Sequence, residues 1–209
     1  SIMVSRDLFL AEYNDSRIHF NTISTEESVD LIKKAKAKGI QVTCDVAAHN
    51  LYYTDEAVTS FDSHYKVNPP LRTKKDVKAL LKGLKDGVID AVVSQHTPHE
   101  IEYKNVEFQI AKNGIIGLQT VLPLLLKAGL SPELIVEKLA VTPRKIVNLP
   151  IPKIEEGQPA NLVLFNTQKK WVFNAKSNQS KSSNSPLFNQ ELTGQVVLCI
   201  NNNQVIINK

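Results

Sequence analysis

The sequence predicts an α/β fold in which parallel strands alternate with helices. Along the first two-thirds of the chain, short apolar segments alternate with segments whose apolar residues recur at helical spacing. One short segment, Val88–Val93, is apolar except for Asp90, which is typical of a parallel strand buried on both faces. Strands and helices that alternate at this pitch favour right-handed βαβ units, so we expect one parallel sheet.

The first βαβ unit is predicted between residues 17 and 46. Its strands are Arg17–Ile23 and Gln41–Val46. A helix begins between them at Ser24–Glu27, because a hydroxyl can cap free amide groups and the acids suit the positive end of the helix dipole. Gly39 ends that helix.

Further elements follow in the same order. A third strand, Tyr65–Asn68, stops at a pair of prolines. The remaining elements are predicted at Lys74–Lys85 (helix), Val88–Val93 (strand), Gly117–Lys127 (helix) and Pro132–Leu139 (helix).

After Pro150 the pattern changes to short strands separated by turn residues. Asn174–Asn184 is rich in Ser, Asn and Lys, which predicts a mobile loop. We therefore divide the chain into residues 1–150 and 151–209. The strands of the second part are predicted at Asn161–Phe165, Trp171–Phe173, Val196–Ile200 and Val205–Ile207.

The composition excludes several classes of protein. The 209 residues include 25 Lys and Arg against 21 Asp and Glu, and 42% are apolar, which suits a globular chain with a core. The lysines within residues 33–38 have no aromatic platform beside them, so no nucleic-acid interface is expected. Lys112 and Lys127 bracket the most apolar stretch too closely for a membrane span. Cys44 and Cys199 lack metal-site spacing, which favours a reducing, cytoplasmic setting.

Four parallel strands are too few for a closed barrel. A (β/α)8 barrel needs eight strands and typically about 250 residues. If these units belong to a barrel, half of it is missing from this chain. A free half-barrel would expose two strand edges, so we expect a partner half or an oligomer to cover them.

Polar residues follow each predicted strand, at the end where α/β proteins place their ligands. Several histidines on one rim favour a metal or acid–base site, although a single histidine near a strand end is more often a hydrogen-bonded structural residue. In strand order, these residues are His19, Asn21 and Thr22; His49 and Asn50; Asn68; and Gln95, His96 and His99.

Several strings in this sequence, in order along nearly all of the chain, resemble the second half of a dihydroorotase, a cyclic amidohydrolase. They include Thr22–Thr25, Asn68–Arg72, His96–His99 and Gly114–Thr120. The resemblance implies strands five to eight of a metal-dependent (β/α)8 TIM barrel. It also implies a small β-sandwich portion, built in the full-length protein from both chain ends.

The resemblance further implies a reaction and a cofactor. The family interconverts dihydroorotate and N-carbamoyl-aspartate in pyrimidine synthesis, and one or two Zn²⁺ ions polarise the amide and activate water. Its metal ligands are a His-x-His pair on strand one, a lysine carbamate or aspartate on strand four, and histidines on strands five and six. An aspartate after strand eight binds metal and moves the proton.

Mapped onto this chain, the implied site is incomplete. The strand-five ligand position is Thr22, whose hydroxyl is a poor substitute for imidazole at Zn²⁺. His49 matches the strand-six ligand. Gln95 stands at the strand-eight aspartate and cannot take a proton from metal-bound water. Asn68 and His99 match substrate-binding residues, whereas the structural interpretation is favoured for His96.

Two functional hypotheses remain open. In the first, the protein is a non-catalytic dihydroorotase-like partner of aspartate carbamoyltransferase that binds no stoichiometric zinc, with His49 as its one retained ligand candidate. In the second, it is an active zinc-dependent cyclic amidohydrolase whose missing half is supplied elsewhere. An unrelated α/β binding module is disfavoured by the ordered resemblance. A homo-oligomer is expected in either case.

Overall fold

The computed structural model describes residues 1–201 and 204–208. Its first sheet contains three parallel strands, in the order β1 (Ile18–Phe20), β2 (Val42–Ala47) and β3 (Ala91–Val93). β2 pairs with both neighbours and is therefore the central strand. The parallel α/β arrangement predicted from the sequence is confirmed.

Two twelve-residue helices, α2 (Glu26–Ala37) and α3 (Lys74–Lys85), begin where the sequence predicts. The Thr25 hydroxyl accepts an amide hydrogen of the first turn of α2 at 3.2 Å. At the start of α3, Thr73 and Asp76 form a capping box, in which each side chain accepts from the backbone of the other. Local capping thus fixes both helix starts.

The chain opens with a helix, α1 (Ile2–Tyr13), that is not among the predicted elements. It buries only Leu8 and Ala11, whereas Phe9 and Tyr13 are exposed and stack on each other with ring centroids 6.5 Å apart. A helix with so few buried positions shows no clear apolar period.

The two helices predicted after residue 117 are present with different bounds. The helical elements of this region are α4 (Val121–Lys127), α5 (Pro132–Val136), a π-helical turn at Glu137–Val141 and α6 (Thr142–Ile146). α4 starts late because the residues before it form a turn closed by a bond from the Thr120 N–H to the Gly117 carbonyl. In the part of the chain that the structure describes, no helix is long and apolar enough to cross a membrane.

The strand predicted at Tyr65–Asn68 is wrong. Ser63–Tyr65 instead forms a 3₁₀ turn, because the Asp62 side chain accepts one of its amide hydrogens at 2.9 Å. The Lys66 carbonyl then accepts the Gly114 N–H at 2.8 Å, so the segment does not pair with a strand. β2 and β3 are direct neighbours as a result.

The apolar run Val88–Val93 divides into a turn and a strand. Its first two amides donate to the Gly83 carbonyl at 2.8 and 3.0 Å, so β3 begins later than predicted. Asp90 lies at the junction, where its carboxylate accepts the Cys44 N–H at 2.8 Å and the Lys36 ammonium at 2.7 and 2.8 Å. Asp90 thereby connects α2, β2 and the start of β3.

We expect Asp90→Ala to lower the free energy of unfolding by roughly 2–3 kcal/mol, because a half-buried ammonium and a strand amide lose their acceptor together. Urea unfolding of the variant measures this loss. Asp86→Ala is the matched control, since the Asp86 carboxylate bonds the exposed Lys82 and no other side chain among the described residues. Equal effects of the two changes would contradict the role given to Asp90.

The second sheet is antiparallel, in the order β4 (Leu162–Phe173), β5 (Gln190–Asn201) and β6 (Gln204–Ile207). The separate strands predicted at Asn161–Phe165 and Trp171–Phe173 form one long strand, interrupted by two shifts of register. Among the described residues of this region, three strands thus stand where four short ones are predicted. The α/β fold contains one parallel and one antiparallel sheet.

The predicted loop Asn174–Asn184 is irregular, but its side chains tie it to the rest of the protein. The Ser177 hydroxyl donates to the Val172 carbonyl at 2.7 Å. Asn184 is only 1% exposed, and its amide donates to the carbonyl of Thr97 at 3.0 Å. The loop therefore reaches the residues that follow β3.

Phe173 and Leu192 of the second sheet share a hydrophobic core with Leu122 of α4. The division of the chain at residue 150 stays a prediction. Of the predicted second part, residues 202–203 and 209 lie outside the described residues.

Candidate active site

Thr22, His49 and Gln95 lie at one edge of the parallel sheet. Each stands two residues beyond the end of its strand: Thr22 after β1, His49 after β2 and Gln95 after β3. Adjacent parallel strands lie about 4.8 Å apart, so their carboxyl ends bring the three residues to one edge. His49 stands between the other two.

His49 is almost fully enclosed, with 1% of its surface exposed. Its Nε2 is buried and has no hydrogen-bond partner among the described residues. Burial lowers the pKa of this imidazole to about 4, and the side chain of Gln95 offsets part of the shift. The ring is therefore neutral at pH 7. The Oδ1 of Asn50 is likewise buried and has no partner in the described part of the chain.

Thr22 and Gln95 share an unusual backbone conformation. Their φ angles are +59° and +46°, in the left-handed region that non-glycine residues seldom occupy. The Asp45 carboxylate accepts the Thr22 N–H at 2.7 Å, and the Gln95 side chain donates to the Asn68 carbonyl at 2.6 Å. Hydrogen bonds thus support both strained positions.

The sequence interpretation missed the role of Asp45. Its second oxygen lies 3.0 Å from His19 Nε2, and the other ring nitrogen of His19 lies 2.8 Å from the Thr43 hydroxyl. The pairing of β1 with β2 explains this contact. His19 lies opposite Thr43, and Asp45 is two residues further along β2 on the same face of the sheet. These polar residues line the face of the sheet opposite the buried Cys44.

The two residues matched to substrate binding lie on loops above the sheet. Asn68 is exposed, and its carbonyl is the acceptor for Gln95. The His99 N–H donates to the Asn184 side chain at 3.2 Å, and the His99 ring Nε2 lies 2.9 Å from the Asn113 carbonyl. Since a carbonyl only accepts, His99 Nε2 carries the hydrogen of the neutral ring.

His96 makes the kind of contact expected of a structural histidine. Its Nδ1 accepts the N–H groups of Gly117 and Leu118 at 3.1 and 3.4 Å. The ring therefore holds the turn that precedes α4.

The donors at the sheet edge do not fit a zinc ion. Zinc sites in proteins use three or four nitrogen, sulfur or carboxylate ligands, and His49 is the one such donor at the three positions. The Thr22 hydroxyl donates to the Asn21 side chain at 2.5 Å, and Gln95 offers only a neutral amide. Across the described residues, no group of three or more His, Cys, Asp or Glu side chains is arranged to hold a metal.

Lys104 is a buried cation in the segment that follows β3, with 1% of its surface exposed. Burial lowers the pKa of its ammonium to about 8, against a smaller opposing effect of Asp62, and Lys66 adds to the lowering. Between pH 8 and 10.5 the unfolded chain then binds more protons than the folded one. The contribution of Lys104 to stability therefore rises with pH in that window.

We expect the free energy of unfolding to contain a positive slope from this group above pH 8, at most about 1.4 kcal/mol per pH unit. Lys104→Met should remove that slope in urea unfolding measured at several pH values. Lys112→Met, a change at an exposed lysine of the same loop, should retain it. A Lys104→Met protein with the original slope would contradict the assignment.

Comparison with known proteins places the chain in one family. The amidohydrolase family model matches residues 9–202. The dihydroorotase of Geotalea daltonii is 43% identical over 209 residues, covering 98% of this chain and 49% of that protein. The dihydroorotase of Acetivibrio thermocellus is 42% identical over 211 residues, covering 99% of this chain and 50% of that protein.

A solved structure agrees with these relatives. L-hydantoinase (dihydropyrimidinase) from Arthrobacter aurescens is 27% identical, with a TM-score of 0.89 over 99% of this chain and 48% of that one. The chain thus spans about half the length of the relatives it matches. Amidohydrolases are generally metal-dependent. The chain belongs to the amidohydrolase family, and its sequence is dihydroorotase-like over nearly all of its length.

Proposed function

We propose that this chain is the second half of a (β/α)8 TIM barrel, with part of a small β-sandwich, in a dihydroorotase-like protein that does not hydrolyse its substrate. The observation that carries the proposal is the set of side chains at the sheet edge. Thr22 and Gln95 flank a neutral, buried His49, so one of three implied ligand positions holds a zinc donor.

The chemistry of Gln95 supports the non-catalytic assignment. Hydrolysis of dihydroorotate to N-carbamoyl-aspartate needs a group that takes a proton from water and returns it to the leaving nitrogen. A glutamine amide cannot take up and return a proton near neutral pH. Loss of a general base alone costs about 10²–10⁴ in rate, and the same position is an implied metal ligand.

The unpaired sides of the two outer strands, β1 and β3, favour a second half of the barrel as a partner. Among the described residues, β1 and β3 each pair on one side only. The exposed Phe9 and Tyr13 add an apolar surface on α1, a helix that contacts β1. We infer that the other half of the barrel, or a second copy in a homo-oligomer, covers these surfaces.

The proposed role is structural, in pyrimidine biosynthesis. Asn68 and His99 would retain contacts to the carbamoyl-aspartate portion of the ligand, and aspartate carbamoyltransferase is the proposed partner. The setting is cytoplasmic, in keeping with the two free cysteines, Cys44 and Cys199. Zinc is not part of this proposal, and neither is a nucleic-acid or membrane surface.

One observation favours the second candidate, an active zinc-dependent dihydroorotase. The unpartnered Nε2 of His49 is neutral at pH 7, as a metal ligand must be. In that case the ligands contributed by the other half would have to hold the zinc with His49 alone from this chain.

Metal analysis and a dihydroorotate hydrolysis assay of the full-length protein separate the two candidates. We expect no stoichiometric zinc and no hydrolysis above the level of a His49→Ala variant. One zinc per chain, lost in His49→Ala together with activity, would establish the active enzyme. Co-elution with aspartate carbamoyltransferase in size-exclusion chromatography tests the structural role.

A further inference from the structure

The side chain of Lys104 is among the largest that are fully buried in this protein, yet it carries a charge. Its ammonium donates to the carbonyls of Lys112 at 2.8 Å and Gly114 at 3.1 Å. Its own carbonyl accepts the hydroxyl of Ser63. Burying an ammonium is costly unless it is well hydrogen-bonded, so a purely packing role would be served better by an apolar residue.

Gly114 is the point where three loops meet. Its carbonyl accepts from the Lys104 ammonium and, at 3.2 Å, from the Asn184 amide. Its N–H donates to the Lys66 carbonyl. The Ser63–Asn68 loop, the segment after β3 and the Asn174–Asn184 loop are therefore joined through the backbone of one residue.

The same contacts reach Asn68 and His99, the two residues matched to substrate binding, which we call the rim residues. Asn113, next to Gly114, offers the carbonyl that His99 Nε2 bonds at 2.9 Å, and the Asn184 side chain accepts the His99 N–H. Asn68 stands two residues after Lys66, whose carbonyl is bound to Gly114. Displacing the 112–114 backbone would release both rim residues from their present positions.

We propose that Lys104 is a positioning residue of the rim, which holds the Lys112 and Gly114 carbonyls on either side of Asn113 and thereby fixes the ring of His99 as its Nε2–H tautomer. His99 then presents an unprotonated Nδ1, a hydrogen-bond acceptor, to a ligand bound at Asn68 and His99. The inference rests on the proposed function only in giving His99 a ligand-binding role. The positioning itself requires no ligand.

The test is the tautomer of His99, read from long-range ¹H–¹⁵N spectra of the histidine-labelled full-length protein at about pH 7.5, above the ordinary imidazole pKa. We expect a pure Nε2–H form for His99. In Lys104→Met we expect a mixture of the two neutral tautomers. The Lys112→Met variant should resemble the unchanged protein, and His96, held by the Gly117 N–H, serves as the internal reference.

A stable Lys104→Met protein whose His99 stays in the pure Nε2–H form would overturn the proposal. If Lys104→Met does not fold, Ser63→Ala provides the second variant, because it removes only the hydroxyl that holds the Lys104 carbonyl. Hydrogen exchange of the Gly114 and His99 amides should then accelerate about tenfold without a change at β2. Unchanged exchange at both amides would also overturn it. Neither readout involves substrate or zinc, so failure here leaves the proposed function to its own assays.

Discussion

Replacing Thr22 by histidine and Gln95 by aspartate together, in a protein that also contains the other half of the barrel, should raise zinc affinity by at least about 100-fold. The reason is the number of donors. The two changes add an imidazole and a carboxylate on either side of His49, which brings this chain from one zinc ligand to three. The left-handed backbone at both positions is already in place.

Zinc affinity is measured by competition with a fluorescent chelator, and each single replacement is expected to give only part of the gain. Thr59→His with Gln168→Asp is the matched control, because these residues have the same types but are exposed and lie in a 3₁₀ turn and in β4, not at the carboxyl end of a parallel strand. A folded double variant with unchanged affinity would show that the two positions, or the ligands assumed in the other half, are wrongly assigned. Hydrolysis should recover less than zinc binding, since the resemblance to dihydroorotases implies a proline where Ala48 precedes His49, and a residue other than Asn50 after it.

Elements governed by local chemistry could be predicted from the sequence. The sequence predicts α3 with its observed bounds because Val77, Leu80, Leu81 and Leu84 recur at helical spacing. The structure adds the capping of its start by Thr73 and Asp76, through bonds between residues three positions apart. The parallel direction of β1 and β2 follows from the helix between them in the sequence. Such features depend on residues that are close in sequence, so a single sequence contains the required information.

Features governed by distant contacts could not be predicted. The segment Tyr65–Asn68 has strand-like composition, but its Lys66 carbonyl bonds Gly114, far along the chain. Asp45 supports the Thr22 backbone across the sheet, which only the strand register reveals. The candidate site shows the same division. The family resemblance located Thr22, His49 and Gln95, whereas the Lys104 contacts required coordinates.

Gly114→Ala should destabilise the protein by about 3 kcal/mol, because two penalties coincide at this residue. Its φ of +128° is one that L residues rarely adopt. A Cβ there would also lie 2.6 Å from the Cβ and Cγ2 of Thr97, which cannot withdraw without moving the chain that leads to His99.

Gly129→Ala separates the two penalties. Gly129 has a φ of +79°, but a Cβ there meets nothing within 4 Å. Backbone strain alone should cost about 1–2 kcal/mol at that position. Urea unfolding of both variants gives the difference, and equal losses would mean that the loop yields around Thr97. In that case His99 should also shift in its ¹⁵N spectrum. If Gly114→Ala shows the expected larger loss but the His99 tautomer is unchanged, the strain lies away from His99. In that case the Asn113 carbonyl still accepts the hydrogen of His99 Nε2.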